Sequence, residues 1–141
     1  MPPPSTSDVF HLSTLPNTIF VYQLPTSELI PIPFINGLSD AKTQLCSITR
    51  TADETSIVTD IVLDEATTPA GLKQEEWKAY KMRGPMPFDL VGVVNNLTTP
   101  LKAATIGVFV VSTWNTDFLL IPLAKHKEAE AALTADGWVF V

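Results

Sequence analysis

The chain of 141 residues is 45% hydrophobic and 17% charged, with a formal net charge of −6; such a composition supports a packed core rather than a disordered chain. The acidic balance, with no run of Lys or Arg, argues against nucleic acid and against an anionic membrane surface as partners. A single cysteine, Cys46, excludes an internal disulfide and a multi-cysteine metal site, and no stretch approaches the ~18 apolar residues of a membrane helix.

Residues 1–8, MPPPSTSD, read as a disordered tail. They hold neither the basic region nor the apolar core of a secretory signal, so a cytoplasmic protein is expected and the sequon Asn96-Leu97-Thr98 is read as chance. Ile19 to Leu24 is β-branched and aromatic, bounded by Pro16-Asn17 and Pro25, and reads as a strand. Residues 25–39 hold several prolines and Asn36-Gly37 and read as loop. TQLCSITRT (43–51) and SIVTD (56–60) read as strands. Cys46, in an apolar-leaning run, is expected to be a core thiol. Residues 65–75 form a linker by composition.

From residue 76 the pattern sharpens. EWKAYKMRG (76–84) alternates as a strand, with Trp77 and Tyr80 on opposite faces. FDLVGVVNNL places Leu90, Val93, Val94 and Leu97 at helical spacing, with Asp89 as a cap or as a charge at the positive helix start. Pro100 interrupts that helix and LKAAT adds a last turn. IGVFVVST (106–113) has the composition of a fully buried strand, and DFLLIP (117–122) is another. AKHKEAEAALTADG (124–137) is an amphipathic helix with Gly137 at its C-terminal cap, and GWVFV is a final strand. The order over 76–141 is β-α-β-β-α-β, the ferredoxin-like arrangement of two helices over an antiparallel sheet. The first half carries a faint echo of it. SITRTADETSIV (47–58) is laid out like VVSTWNTDFLLI (110–121): strand, Thr-containing polar turn with an acid, strand. The fold class expected is α+β, in two related βαββαβ units. These are a degenerate, helix-poor unit at 9–64 and a complete one at 76–141.

The segments GPMPFDLVGVVNNLTTPL and IGVFVVSTWNTDFLLIP resemble the tandem ACT-domain proteins related to the cytosolic arginine sensors of the CASTOR type. SITRTADETSIV resembles the matching part of their first ACT unit, and the resemblance spans about residues 9–141. It implies ACT folds that pair side by side and bind a small molecule, usually an amino acid, at an interface between units. It implies no cofactor and no catalysis. The arginine sensors have four such units and this chain has two, which makes a homodimer an expectation. A regulated protein partner is the other.

The polar turn 112–117 suits such a ligand on residue chemistry. A carboxylate fits the N–H groups at a helix start, and an ammonium needs an acid such as Asp117 or Asp89. Thr113 and Thr116 offer hydroxyls, Asn115 offers both donor and acceptor, and Trp114 can cover an aliphatic or cationic side chain. The resemblance carries the ligand site onto Ser112, Thr113, Trp114, Asn115, Thr116 and Asp117, and onto the helix start at Phe88, Asp89, Leu90 and Val91. The bland alternative is an ordinary hairpin, since Asn and Asp tolerate turn backbone and Thr is common in strands. An interaction module that acts through its sheet edges, without ligand, is the alternative function. Arg50 is expected either to meet a carboxylate or to pair with Asp53 or Glu54 on the surface. His11 and His126 show no metal spacing, and His126 is expected to be a solvated helix residue. Phosphate-loop and nucleophile-elbow motifs are absent, so no enzyme is expected.

Overall fold

The computed structural model describes residues 7–87 and 91–141. In chain order its elements are β1 (Leu12–Thr14), β2 (Ile19–Leu24), α1 (Ile32–Gly37), β3 (Cys46–Arg50), β4 (Thr55–Thr59), β5 (Lys73–Met82), α2 (Val93–Ala103), β6 (Phe109–Ser112), β7 (Asp117–Pro122) and α3 (His126–Ala135). Short 3-10 turns lie at Asp8–Phe10, Glu65–Thr67 and Leu123–Lys125. The chain forms two compact units: Asn17–Trp77, the inserted unit, and Lys78–Val141 joined by the segment that ends at Pro16, the terminal unit. The linker expected over 65–75 instead holds a 3-10 turn and the first residues of β5.

In the inserted unit the strands neighbour one another in the order β3, β4, β2, β5. Tyr22 of β2 stands opposite Ile57 on one side and Gln74 on the other. Tyr22, Leu24, Phe34 and Ile57 form its core, and the Tyr22 and Phe34 rings lie 4.9 Å apart. Phe34 comes from α1, which falls within the stretch expected to be loop. Proline is compatible with a helical first turn, because the N–H it lacks has no partner there anyway, and here a proline occupies that turn. Burial of Phe34 then holds a helix too short to stand alone. Cys46 is half-buried, with its sulfur 3.6 Å from the Phe34 carbonyl, and burial pushes its thiol pKa up.

In the terminal unit the order is β1, β5, β7, β6. β1 runs antiparallel to β5 with Leu12 opposite Met82, and Leu12 also bridges in parallel to Phe140. The Leu12 N–H donates to the Val139 carbonyl, and the Val141 N–H donates to the Leu12 carbonyl, each at 2.8 Å. The final segment GWVFV therefore contributes a single bridge rather than the expected strand. β1 was not foreseen, because its Leu-Ser-Thr is too short to announce a strand and is held by pairing on both sides. Leu97 and Leu101 of α2, Ala129 and Leu133 of α3, and Tyr80, Met82, Leu119 and Ile121 of the sheet share one core with Trp138.

Three boundaries differ from expectation. α2 begins at Val93 with Gly92 as its cap, not near Asp89, and it runs through Pro100 to Ala103. Pro100 removes one backbone donor, while the Thr98 and Thr99 hydroxyls donate to the Val94 and Asn95 carbonyls at 2.9 and 2.6 Å. Val93, Leu97 and Leu101 face inward, four residues apart, and Val94 does not. β6, expected to be fully buried, is half-buried because it is the edge strand, whereas β7 beside it is buried from Phe118 to Ile121. α3 is shorter than expected. It ends as the sequence suggests, with Gly137 at φ 99°, the Gly137 N–H on the Thr134 carbonyl and the Trp138 N–H on the Leu133 carbonyl, which is a Schellman cap.

Candidate functional site

The turn between β6 and β7 is built by threonine hydroxyls. The Thr113 N–H donates to the Thr116 carbonyl at 2.8 Å, and the Thr116 N–H donates to Thr113 Oγ1 at 3.3 Å. Trp114 and Asn115 occupy the tip, with Trp114 78% exposed. At the base, Ser112 stands opposite Asp117, and its hydroxyl donates to Asp117 Oδ1 at 2.6 Å. A second segment, Gly84-Pro85-Met86-Pro87, is fastened to this turn. The Met86 N–H donates to the Asn115 carbonyl at 2.7 Å, and Thr116 Oγ1, buried, donates to the Met82 carbonyl at 2.7 Å. Gly84 has φ 61°, and a Cβ placed there would lie 2.9 Å from the Asn115 oxygen. Glycine is needed at that position both for its backbone angle and for the close approach.

These segments and the start of α2 enclose a pocket of about 450 Å³, lined by Met86, Pro87, residues 92–95 and residues 112–117. Gly92, with φ 79°, caps α2, and as a glycine it offers no side-chain acceptor to the first N–H groups of the helix. The pocket thus combines an apolar side (Met86, Pro87, Val93, Val94), two amides (Asn95, Asn115), a helix start and one carboxylate, Asp117. That pattern, an apolar concavity with a few converging polar groups, is typical of a small-molecule site.

All six residues expected from the turn, 112–117, line this pocket. Val91 is exposed and is not part of the lining. Phe88, Asp89 and Leu90 lie outside the described residues. The Thr113 and Thr116 hydroxyls each donate a hydrogen bond within the fold. The sequence reading did not single out Met86, Pro87 or residues 92–95. The two glycines at positive φ, Gly84 and Gly92, were the signal that the backbone turns sharply on either side of them.

The inserted unit repeats the turn. The Thr51 N–H donates to the Glu54 carbonyl at 2.9 Å, and the Glu54 N–H donates to Thr51 Oγ1 at 3.2 Å. Thr51 therefore matches Thr113, one position from the alignment suggested by the sequence echo. Arg50, in the place of Ser112, pairs with no carboxylate among the described residues. Its Nη1 donates to Thr55 Oγ1 at 3.4 Å and its Nη2 to the Thr26 carbonyl at 3.3 Å. His126 is half-buried rather than solvated, with Nδ1 3.8 Å from Glu130 Oε1. Glu130 also accepts the Tyr80 hydroxyl at 2.8 Å, and burial first, then Glu130, pushes the Tyr80 pKa well above its ordinary value.

Residues 72–135 match the family model of the ACT domain. Protein Atu0741 from Agobacterium tumefaciens is 31% identical, with 93% of this chain and 91% of that chain covered and a TM-score of 0.73. At the level of fold alone, the chain is similar to protein VC0802 from Vibrio cholerae (14% identity, 92% and 94% covered, TM-score 0.61). It is also similar in fold to the regulatory subunit of aspartate kinase from Thermus thermophilus (10% identity, 85% and 93% covered, TM-score 0.57). No curated protein matches the sequence. The chain carries an ACT domain over residues 72–135 and belongs to the same protein family as Atu0741.

Proposed function

We propose that this is a non-catalytic regulatory protein that binds an amino acid in the pocket at residues 112–117. The observation that carries this reading is the pocket itself, whose described lining combines the carboxylate of Asp117, the glycine-capped start of α2 and the apolar side chains of Met86, Val93 and Val94. Asp117 takes the ligand's ammonium, and the N–H groups at the start of α2 take its carboxylate. The inserted unit, with its order β2-α1-β3-β4-β5 and its repeated Thr turn, is read as a second, helix-poor ACT-like unit, in keeping with a tandem arrangement of the CASTOR type. The fold likeness to a regulatory subunit of aspartate kinase supports a regulatory role. Ligand then acts by favouring one arrangement of the protein's contact surfaces, in a homodimer or toward a regulated partner. The edge strands β3 and β6 are the surfaces suited to such pairing.

A second reading, a ligand-free interaction module, draws on the internal bonding of the turn, where the Ser112, Thr113 and Thr116 hydroxyls all have partners within the protein. Thermal unfolding against the twenty amino acids, with Asp117→Ala alongside, separates the two. A ligand specific to the folded state adds about 2.7 kcal/mol at a hundred times its dissociation constant. Under the sensor reading a selective rise appears and vanishes in Asp117→Ala. Under the module reading no amino acid raises the transition, and substitutions on β3 or β6 alter association instead.

A further inference from the structure

We infer that the pocket discriminates against amino acids with acidic side chains. This inference rests on the reading of the pocket as an amino-acid site and adds the chemical class of ligand it excludes. It comes from the charges that line the pocket. Among the described lining residues, Asp117 is the only charged side chain. The intervening sequence Phe88-Asp89-Leu90 brings a second acid and no cation. Arg83, the basic residue nearest in sequence to Gly84, is held by Asp8 at 2.8 Å.

An amino acid brings one ammonium and one carboxylate before its side chain is counted. The ammonium uses Asp117 and the carboxylate uses backbone donors. An acidic side chain would then face Asp117 with no cation to offset it, and it would lose water on entering. Specificity here comes from charges left unpaired in the wrong ligand. The remaining wall, Met86, Val93 and Val94, is apolar, and Asn95 and Asn115 offer neutral hydrogen bonds. An aliphatic, thioether or hydroxylated side chain fits that lining.

The test is a titration of the isotopically labelled full-length protein with each of the twenty amino acids, following the backbone amides of residues 92–95 and 112–117 by NMR. The expected result is that at least one other amino acid shifts these amides, with a dissociation constant at least about tenfold below those of aspartate and glutamate. If aspartate or glutamate shifts the same amides as tightly as any other amino acid, the inference on ligand class is overturned while the site stands. If no amino acid shifts them, the site reading falls and the inference falls with it. The wild-type protein alone decides the outcome, so no folding defect of a variant enters.

Discussion

Thr116 and Met82 are joined by a buried hydrogen bond of 2.7 Å from the threonine hydroxyl to the methionine carbonyl, across 34 positions of chain. It ties the end of β5 to the turn of the β6–β7 hairpin, whose residues 112–117 line the pocket. The hydroxyl matters here as a structural donor rather than as a ligand contact.

Thr116→Val keeps the shape and removes that donor. Leaving the Met82 carbonyl without its partner in a buried setting is expected to cost about 1–3 kcal/mol. Ser112→Ala, at an exposed pair, is expected to cost less than about 1 kcal/mol. Urea denaturation of the two variants checks the difference; equal losses would mean that the buried bond has no special weight.

Gly84 and Gly92 both have positive φ, yet only Gly84 has a neighbour where a Cβ would go. Asparagine tolerates left-handed backbone. Gly92→Asn is therefore expected to change stability by less than about 1 kcal/mol, and Gly84→Asn by more than about 2 kcal/mol, because strain and overlap with Asn115 add. Melting temperatures of the two variants, measured side by side, test this contrast.

Leu12 is fully buried although it lies 60 residues before the ACT-matched segment begins. Its strand fills the place between β5 and the chain end. Leu12→Ala is expected to cost about 2–5 kcal/mol. A fragment of residues 72–141 is expected to show no cooperative unfolding transition by circular dichroism. A sharply melting fragment would show that β1 is dispensable.

The buried tyrosines make the protein sensitive to alkali. Burial raises Tyr22 from the ordinary 10.0 to about 12, and Tyr80 is raised as well. The folded state thus holds protons that the unfolded state releases above pH 10. Their contribution to stability is full below pH 10 and is lost as pH rises through the folded pKa values. Tyr80→Phe is expected to flatten the fall in stability between pH 10 and 12 and to cost about 1 kcal/mol at pH 7 through the lost bond to Glu130. Denaturation midpoints across that pH range measure both effects.

Under the proposed function, a change at Asp117 separates binding from folding. Asp117→Asn is expected to leave the ligand-free protein within about 1 kcal/mol of wild type, since its bond to Ser112 is exposed. It is expected to abolish stabilisation by the cognate amino acid. Calorimetric titration of both proteins with that amino acid gives the comparison.

Period and punctuation in the sequence determined the β-α-β-β-α order from β5 to α3, the cap at Gly137 and the polar turn at 112–117. Each is written locally: strands by alternation, a helix end by glycine, a turn by Thr, Asn and Asp. The repeat of that turn at 51–54 was legible for the same reason, to within one position. Tertiary structure alone decided what has no local signature. β1 is three residues held by neighbours on both sides, and α1 is a helix carried by the burial of Phe34. α2 continues through Pro100 because Leu97 and Leu101 share one core. Burial energy summed over distant residues outweighed local preference at each of these places.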